Sequence, residues 1–316
     1  DPRFKLIMSI FFYCKFKNKK EWLNAIQKKF LNEKIFTTED KPDYSKIDYA
    51  IVWNLPDNIL KKLKNIKIIF SLGAGVDHII NLPSYNKTPI VRVKDKNMAE
   101  RMSYHVHSQI LTYQLKLYLF QRAQIKKKWL GEQNTKLNNE ITIGIIGLGF
   151  LGSYVAKYLE KLNYNVIGLR REKKLANTKI KTFSSKNKDK FLKNCDIIVS
   201  ILPDTEETKN FINKKFLNLM KKKSFLINIG RGSTLNEDDL LEYLNKNKNF
   251  FASLDVFKKE PLPKNNKLWK HKNVIITPHA AALTDIESSI ELMFKSYTKY
   301  KNNGKIKSDV NLIKGY

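Results

Sequence analysis

The stretch that decides the fold is ITIGIIGLGFLGSYVAKYLEKLNYNVIGLRREKK, from Ile141 to Lys174. It begins with an apolar run typical of a buried strand, passes through a glycine-rich turn, and continues with helical spacing into a second apolar run. The turn reads GLGFLG and matches the G-x-G-x-x-G pattern. Between a strand and a helix, this pattern predicts a βαβ unit that binds the pyrophosphate of a dinucleotide.

Each glycine of this turn has a separate physical task. Gly147 permits the tight turn, Gly149 lets the backbone approach a pyrophosphate, and Gly152 lets the helix pack closely on the strand. The N-terminus of the following helix adds amide donors and the positive end of the helix dipole. We therefore expect Phe150 and Leu151, with the three glycines, to contact the cofactor.

The end of the second strand predicts which cofactor is held. NAD-binding chains often carry an acid there, which bonds the ribose 2′-hydroxyl, whereas this chain has Arg170 and Arg171, about 18 residues past Gly152. An acid would repel a 2′-phosphate and an arginine would bind it, so NADP(H) is expected over NAD(H), which stays possible. The alternative is that both arginines are solvated surface charges. Only 7 of the 59 basic residues are arginine, however, so two adjacent arginines at this position favour a functional role.

Length and composition limit the class of protein. With 316 residues, of which 42% are hydrophobic, the chain has room for about two globular domains. No apolar run approaches the roughly 20 residues of a membrane span, and the N-terminal DPRFKLIMSIFFYCKF is interpreted as a first strand, not a signal peptide. Cys14 and Cys195 lack the spacing of a metal site or disulfide framework, which favours a reducing cytoplasm.

The net charge of +29 raises the alternative of a nucleic-acid binder. The basic residues are 52 lysines against 7 arginines, they are spread along the chain, and 31 asparagines accompany them. Proteins that bind the phosphates and bases of nucleic acids favour arginine, because its planar guanidinium forms bidentate hydrogen bonds. We interpret the charge as a solvated, lysine-rich surface that attracts small anions, and expect neither a nucleic-acid nor a membrane partner.

The order of apolar runs predicts an α/β protein with two Rossmann-like, doubly wound parallel sheets and a cleft between the domains. Four strand-like runs, FKLIMSI, YAIVWN, IKIIFSLG and PIVRV, suggest a flavodoxin-like substrate domain over residues 1–103, completed by a last helix in 285–316. Six more runs give a dinucleotide-binding domain over 104–284. A single long helix is expected from Glu100 to Leu130.

Three polar residues follow strands of the second domain. Arg231 comes after LINIG, Glu260 after LDVF, and His279 after NVIITP. Loops at the carboxyl ends of parallel strands line the ligand crevice, so the three should converge. Arg231 can bind a carboxylate and polarise the neighbouring carbonyl, while His279, oriented by Glu260, can exchange a proton near neutral pH. This set predicts hydride chemistry on a 2-oxo or 2-hydroxy acid, with no metal required.

The ordered motifs resemble those of the D-isomer-specific 2-hydroxyacid dehydrogenase family, most closely its glyoxylate/hydroxypyruvate reductase branch. The resemblance rests on GLGFLG, ILPDTEET, NIGRG, DVFKKEPLP, TPHAAA and, in the first domain, SLGAGVD, and so covers nearly the whole chain. It implies reduction of glyoxylate or hydroxypyruvate to D-2-hydroxy acids and a homodimer formed through the long helix. The further cofactor contacts it implies are Leu202, Pro203, Thr208, Ile229, Gly230, Asp255 (toward the nicotinamide carboxamide) and Ala281.

For the substrate, the resemblance implies that the backbone of Leu72, Gly73, Ala74 and Gly75 binds the carboxylate, and that Trp53 lines the pocket. Trp53 as a plain core residue is the alternative. Arg92 and Arg101 both stay open as extra anion contacts. A dinucleotide-sensing corepressor on the same fold, or a dehydrogenase of a bulkier 2-oxo acid, are the rival functions.

Overall fold

The computed structural model describes residues 7–171, 180–304 and 308–311. The chain forms two compact units. One contains the described residues up to Met98 and those from Thr284 onward, and the other is Ala99–Leu283. The sequence predicts a division at 1–103 with 285–316 and at 104–284, and this division stays a prediction.

The first unit is built on a five-stranded sheet in the order β2-β1-β3-β4-β5, with every neighbouring pair parallel. Its strands are β1 (Ser9–Tyr13), β2 (Lys34–Phe36), β3 (Tyr49–Val52), β4 (Ile68–Ser71) and β5 (Ile90–Arg92), and its helices are α1 (Lys19–Lys29), α2 (Asp57–Leu60), α3 (Asp77–Ile80) and α10 (Ile286–Asn303). This order is the flavodoxin-like arrangement. All residues of β3 and β4 are buried, as expected for strands covered on both faces.

The last helix completes the first unit. Tyr297 of α10 packs edge-on against Phe30 and Tyr49, with ring centroids 5.2 Å apart in both pairs. Glu33 near the end of α1 pairs with Lys301 at 2.5 Å. The C-terminal helix therefore supplies apolar surface that the first hundred residues need in order to close their core.

The second unit carries a seven-stranded parallel sheet in the order β12-β11-β10-β9-β6-β7-β8. Its strands are β6 (Thr142–Ile146), β7 (Asn165–Arg170), β8 (Lys181–Ser184), β9 (Ile197–Ser200), β10 (Phe225–Asn228), β11 (Phe251–Leu254) and β12 (Val274–Ile276). Its helices are α5 (Leu117–Ile125), α6 (Phe150–Lys161), α7 (Lys188–Asn194), α8 (Lys214–Leu219) and α9 (Glu237–Lys246). The reversal of strand order beside β6 is the doubly wound topology, which binds ligands at that switch point.

Both faces of the second sheet are covered, because side chains alternate along its strands. On β9, Ile197 and Val199 join one apolar cluster, whereas Ile198 joins the other. One cluster takes its helical residues from α6 and from α4 (Lys96–Gln114), and the other from α7, α8 and α9. The prediction of two parallel-sheet α/β domains is confirmed.

The prediction of a single long helix from Glu100 onward is wrong in one respect. The structure has two helices, α4 and α5, because Lys116 between them adopts a left-handed conformation with φ of 56°. The break turns Tyr113 and Tyr118 onto the same side, where both rings contact Phe251 of β11, at 5.7 and 4.3 Å between centroids. Residues five apart would not share a face in a continuous helix. Within the described residues, no helix is long and apolar enough to cross a membrane.

Candidate active site

Close backbone approaches join the loops at the carboxyl edge of the second sheet. A Cβ on Gly147, after β6, would lie 2.6 Å from the carbonyl oxygen of Ile201, after β9. A Cβ on Gly230, after β10, would lie 2.4 Å from the carbonyl oxygen of Leu202, and one on Gly232 would lie 1.9 Å from a backbone carbon of Phe257. Glycine is thus required for these loops to meet along one edge.

The glycine-rich turn has the shape that a pyrophosphate needs. Gly147 has a φ of +92°, and a Cβ on Gly152 would lie 2.0 Å from the Gly147 carbonyl oxygen. Gly149 differs, since a Cβ there would meet nothing within 4 Å. Gly149 caps α6 without a side-chain hydrogen bond, and Phe150 and Leu151 begin the helix, so their amides face an open approach. These residues fit a bound dinucleotide.

The two arginines end the second strand of this βαβ unit. Arg170 is the last residue of β7, and Arg171 follows it with its side chain half exposed. The guanidinium of Arg171 forms an ion pair with Glu207. Glu207 stands on a turn fixed by Thr208, whose hydroxyl donates to the Pro203 carbonyl at 2.6 Å. The cation predicted to bind a 2′-phosphate therefore lies beside an anion of the chain itself.

Arg231 extends from the loop that follows β10. The N–H of Ile229 still bonds to the carbonyl of Ser200 at 3.0 Å, which keeps the loop on the sheet. The Arg231 carbonyl accepts a hydrogen bond from the Thr234 hydroxyl at 2.6 Å, and its Nη1 donates to the Gly230 carbonyl at 3.0 Å. The guanidinium thus has one contact within its own loop, and its positive charge lowers the pKa of Glu260.

His279 and Glu260 form the pair that the sequence predicts. Nδ1 of His279 lies 2.7 Å from Oε2 of Glu260, while Oε1 of Glu260 accepts the N–H of Phe257 at 2.9 Å. An ionised carboxylate can only accept, so Nδ1 must carry the proton. Nε2 is then the nitrogen that can exchange a proton with a bound substrate. The backbone of His279 is left-handed, with φ of 53°.

The environment keeps Glu260 ionised. Partial burial raises the pKa of Glu260, but the hydrogen bonds from His279 and from the Phe257 N–H lower it, as do the nearby charges of His279 and Arg231. The net pKa is below the ordinary value of 4.5. The three candidate catalytic residues therefore form one electrostatic group.

Asp255 anchors the loop that carries His279. This buried carboxylate accepts the hydroxyl of Thr277 at 2.6 Å and the N–H groups of Ala280 and Ala281, both at 2.9 Å. Its carbonyl also accepts the N–H of His279 at 2.8 Å. Sequence reasoning assigned Asp255 only to the nicotinamide carboxamide and missed this role. Its position directly before the Glu260 loop gave no signal that the partner would be the His279 loop.

The predicted substrate residues lie together in the first unit. Leu72 and Gly73 are buried, and Trp53 packs against Gly73 so closely that a Cβ there would lie 2.4 Å from the indole. In the described part of the chain, the N–H groups of Ala74 and Gly75 donate to no acceptor of the protein. Of the two further arginines, Arg92 reaches the Ala74 carbonyl at 3.5 Å, whereas Arg101 donates to the carbonyl of Leu283 at 3.2 Å.

His105 and His107, both in α4, have different surroundings. His107 lies between the hydroxyls of Tyr158 and Tyr164, at 3.4 and 3.5 Å, whereas His105 faces the charge of Asp255. Burial lowers the pKa of both rings. Among the described residues, no group of three or more His, Cys, Asp or Glu side chains is placed to hold a metal ion.

Comparisons with known proteins match the chain to one family of enzymes. A family model described as "D-isomer specific 2-hydroxyacid dehydrogenase, NAD binding domain" matches residues 108–281. Glyoxylate/hydroxypyruvate reductase A of Citrobacter koseri is 33% identical over 98% of this chain and 100% of its own, and that of Serratia proteamaculans is 34% identical over 88% and 90%. Among solved structures, an NADPH-dependent glyoxylate/hydroxypyruvate reductase from Sinorhizobium meliloti, in complex with NADP and sulfate, is 29% identical. It superposes with a TM-score of 0.91 over 98% of this chain and 100% of that one.

Proposed function

Because the chain belongs to the D-isomer specific 2-hydroxyacid dehydrogenase family, and is therefore an NAD(P)-dependent oxidoreductase, we propose that it reduces small 2-oxo acids to D-2-hydroxy acids with NADP(H). Glyoxylate and hydroxypyruvate are the proposed substrates, in line with the names of the relatives. The observation that carries the proposal is the 2.7 Å contact of His279 with Glu260, beside the charge of Arg231.

The cofactor is proposed to lie on the glycine-rich turn. The open space at Gly149 and the uncapped start of α6 would accept the pyrophosphate. Arg170 and Arg171 would hold a 2′-phosphate, with Arg171 exchanging Glu207 for the phosphate. When bound, the reduced nicotinamide supplies the hydride.

The residues of the chain supply binding, polarisation and a proton. Arg231 would pair with the substrate carboxylate and stabilise the negative charge that develops on the carbonyl oxygen. His279, protonated on both ring nitrogens, would give the proton on Nε2 to that oxygen and keep the one on Nδ1, directed at Glu260. The ionised Glu260 stabilises the imidazolium before transfer and fixes the ring afterwards. In the oxidative direction, neutral His279 would act as the base.

In the first unit, the proposed carboxylate contacts are the backbone N–H groups of the turn from Leu72 to Gly75. Support comes from the amides of Ala74 and Gly75, which have no acceptor within the described residues, and from Arg92 beside them. Successive unpaired N–H groups in a turn form an anion-binding concavity. Trp53, packed on Gly73, is proposed to limit the size of the substrate's R group.

The test is the loss of nicotinamide absorbance with glyoxylate, hydroxypyruvate or a bulkier 2-oxo acid, each with NADPH and with NADH. We expect turnover of the two small acids, faster with NADPH, and none in His279→Gln, whose cofactor affinity should match the wild type. Cofactor binding without any turnover would instead support a dinucleotide-sensing protein. Turnover of the bulkier acid alone would support the rival substrate class.

We also propose a homodimer in the cytoplasm. The stretch from α4 to β6 exposes a series of large apolar side chains, named here the α4–α5 apolar surface: Tyr104, Leu115, Leu117, Phe120, Ile125, Trp129 and Leu137. Trp129 is 96% exposed, which is unfavourable unless a partner covers it. Both cysteines are free and buried, and burial raises the pKa of Cys195 to about 12, as suits unreactive thiols in a reducing compartment.

A further inference from the structure

His78 contacts the proposed substrate turn from within the first unit, although its sequence context is that of an ordinary helix residue. It lies in α3, the short helix that follows the turn. Its Nδ1 is 3.1 Å from the N–H nitrogen of Asn54, which follows β3. Its Nε2 is 3.2 Å from the hydroxyl of Ser71, the last residue of β4. One imidazole therefore joins the carboxyl ends of two neighbouring strands.

These contacts fix the tautomer of His78. A backbone N–H can only donate, so Nδ1, which meets the Asn54 N–H, must be the unprotonated nitrogen. The proton is then on Nε2 and is directed to the Ser71 oxygen. Protonation of Nδ1 would place two donors, the Nδ1–H of His78 and the N–H of Asn54, opposite each other. The arrangement therefore requires the neutral ring.

Ser71 connects His78 to the turn through hydrogen bonds. Its oxygen lies 3.1 Å from the carbonyl oxygens of Gly73 and of Gly75, so its hydrogen can be donated to either. The N–H of Gly73 points back at the same oxygen at 3.4 Å. With His78 donating to that oxygen too, the hydroxyl uses its donor and both acceptor positions. Such a network defines the conformation of the turn more closely than any single bond.

The ring face of His78 packs on Trp53. The two ring centroids are 4.3 Å apart and the planes are inclined by 56°. Trp53 also stacks on Phe16, with centroids 5.5 Å apart, and presses on Gly73. Removing the imidazole would leave the indole without one of its neighbours and give it room to move.

We propose that His78 is a positioning residue for substrate: its neutral ring holds Trp53 and the 71–75 turn in the one arrangement that presents the amides of Ala74 and Gly75 to a carboxylate. That the ligand is a 2-oxo acid rests on the proposed function. That the turn depends on His78 does not.

Three variants divide its contacts. His78→Ala removes the hydrogen bonds with Asn54 and Ser71 and the ring contact with Trp53. In His78→Asn, the side-chain oxygen can take the place of Nδ1 and accept from Asn54, and in His78→Gln the amide nitrogen can take the place of Nε2 and donate to Ser71. The matched control is His271→Ala, because Nδ1 of His271 also accepts a backbone N–H, from Asn273 at 3.2 Å, but in the second unit.

Amide hydrogen exchange of the full chain without ligands tests the positioning. In His78→Ala we expect exchange about fivefold faster at Asn54 and Gly73, the loss corresponding to one neutral hydrogen bond. His78→Asn should restore protection at Asn54, and His78→Gln at Gly73. His271→Ala should leave both amides as in the wild type. Unchanged exchange at both amides in His78→Ala would overturn the proposal, whatever the kinetics show.

Steady-state kinetics test the consequence. His78→Ala should raise the KM for glyoxylate about fivefold to tenfold, with kcat and the KM for NADPH within twofold of the wild type. Altered exchange without a rise in KM would overturn the link to substrate. If the wild type reduces no 2-oxo acid, the reductase proposal fails, and the dissociation constant of oxalate, read from tryptophan fluorescence in wild type and His78→Ala, decides whether the turn binds carboxylates.

Discussion

At the scale of single residues, the charge of Glu260 should matter more than its shape. In Glu260→Gln an amide can still accept from Nδ1 of His279, but no anion stabilises the imidazolium. We expect kcat to fall about 100-fold, with cofactor affinity unchanged. The control is Glu242→Gln, an exposed carboxylate paired with Lys214 and Lys246. A kcat for Glu260→Gln within threefold of the wild type would contradict the assigned role.

The lowered pKa of Glu260 also predicts how stability depends on pH. Above the ordinary value of 4.5, the carboxylate is ionised in the folded and the unfolded chain, and its stabilising contacts contribute fully. As the pH falls, the unfolded chain binds the proton first, so the contribution is lost while the pH passes through the lowered folded pKa. The side chain is 35% exposed, so solvent screening limits the effect to about 1 kcal/mol or less.

The measurement is the difference in thermal midpoint between wild type and Glu260→Gln, from about pH 7 down to about pH 3. The difference should be constant down to about pH 5 and shrink below it. A difference that grows as the pH falls would mean that the pKa is raised in the folded protein.

Arg171 and Glu207 should affect cofactor choice in opposite directions. Arg171→Gln removes a cation from the proposed 2′-phosphate site, and should raise the KM for NADPH about tenfold, with the KM for NADH little changed. Glu207→Gln removes the anion that competes for Arg171, and should lower the KM for NADPH. Glu206→Gln, a neighbouring exposed carboxylate, is the control. Equal changes for NADPH and NADH would argue against a phosphate contact.

At the scale of elements, two glycines of the turn between β6 and α6 should have different roles. We expect Gly149 to matter for cofactor binding and Gly152 to matter for stability. A Cβ at Gly149 meets nothing within 4 Å, whereas one at Gly152 would lie 2.0 Å from the Gly147 carbonyl oxygen. Gly149→Ala should therefore keep the wild-type thermal midpoint and weaken NADPH binding. Gly152→Ala should lower the midpoint by several degrees, for a cost of about 1–3 kcal/mol. Titration calorimetry and thermal melting check both, and loss of stability in Gly149→Ala would refute the distinction.

The elements also show how much of the fold can be predicted from the sequence. Long apolar runs such as Ile141–Ile146 predict their strands because burial on both faces requires them. The short edge strands β2 (Lys34–Phe36) and β8 (Lys181–Ser184) were missed, because an edge strand needs little apolar sequence. The break at Lys116 is not predicted because no Gly or Pro marks it, and the contacts that accompany it involve Phe251, far along the chain. Motifs in the sequence predict Arg231, Glu260 and His279 as site residues, whereas the contacts of His78 and Asp255 cannot be read from such motifs.

At the scale of the whole molecule, the charge of +29 acts on every association. A net positive field raises the local concentration of small anions, which suits an oxo-acid substrate and a phosphorylated cofactor. The same field opposes the approach of a second copy. The proposed dimer must therefore gain its free energy from apolar contact, and the α4–α5 apolar surface is where the chain offers it.

The balance between charge repulsion and apolar contact predicts how the stability of the dimer depends on salt. Screening weakens the repulsion between two highly charged copies, because the Debye length falls from about 30 Å at 0.01 M salt to about 10 Å at 0.1 M. The dimer should therefore tighten as salt rises, whereas a dimer held by ion pairs would loosen. Light scattering at micromolar protein over that range measures the mass. Trp129→Glu should give a monomer, while Leu31→Glu, an equal change of charge at a residue 80% exposed in the first unit, should leave the dimer intact. A monomeric mass for the wild type at every salt concentration would exclude the homodimer, and dissociation in both variants would place its interface elsewhere.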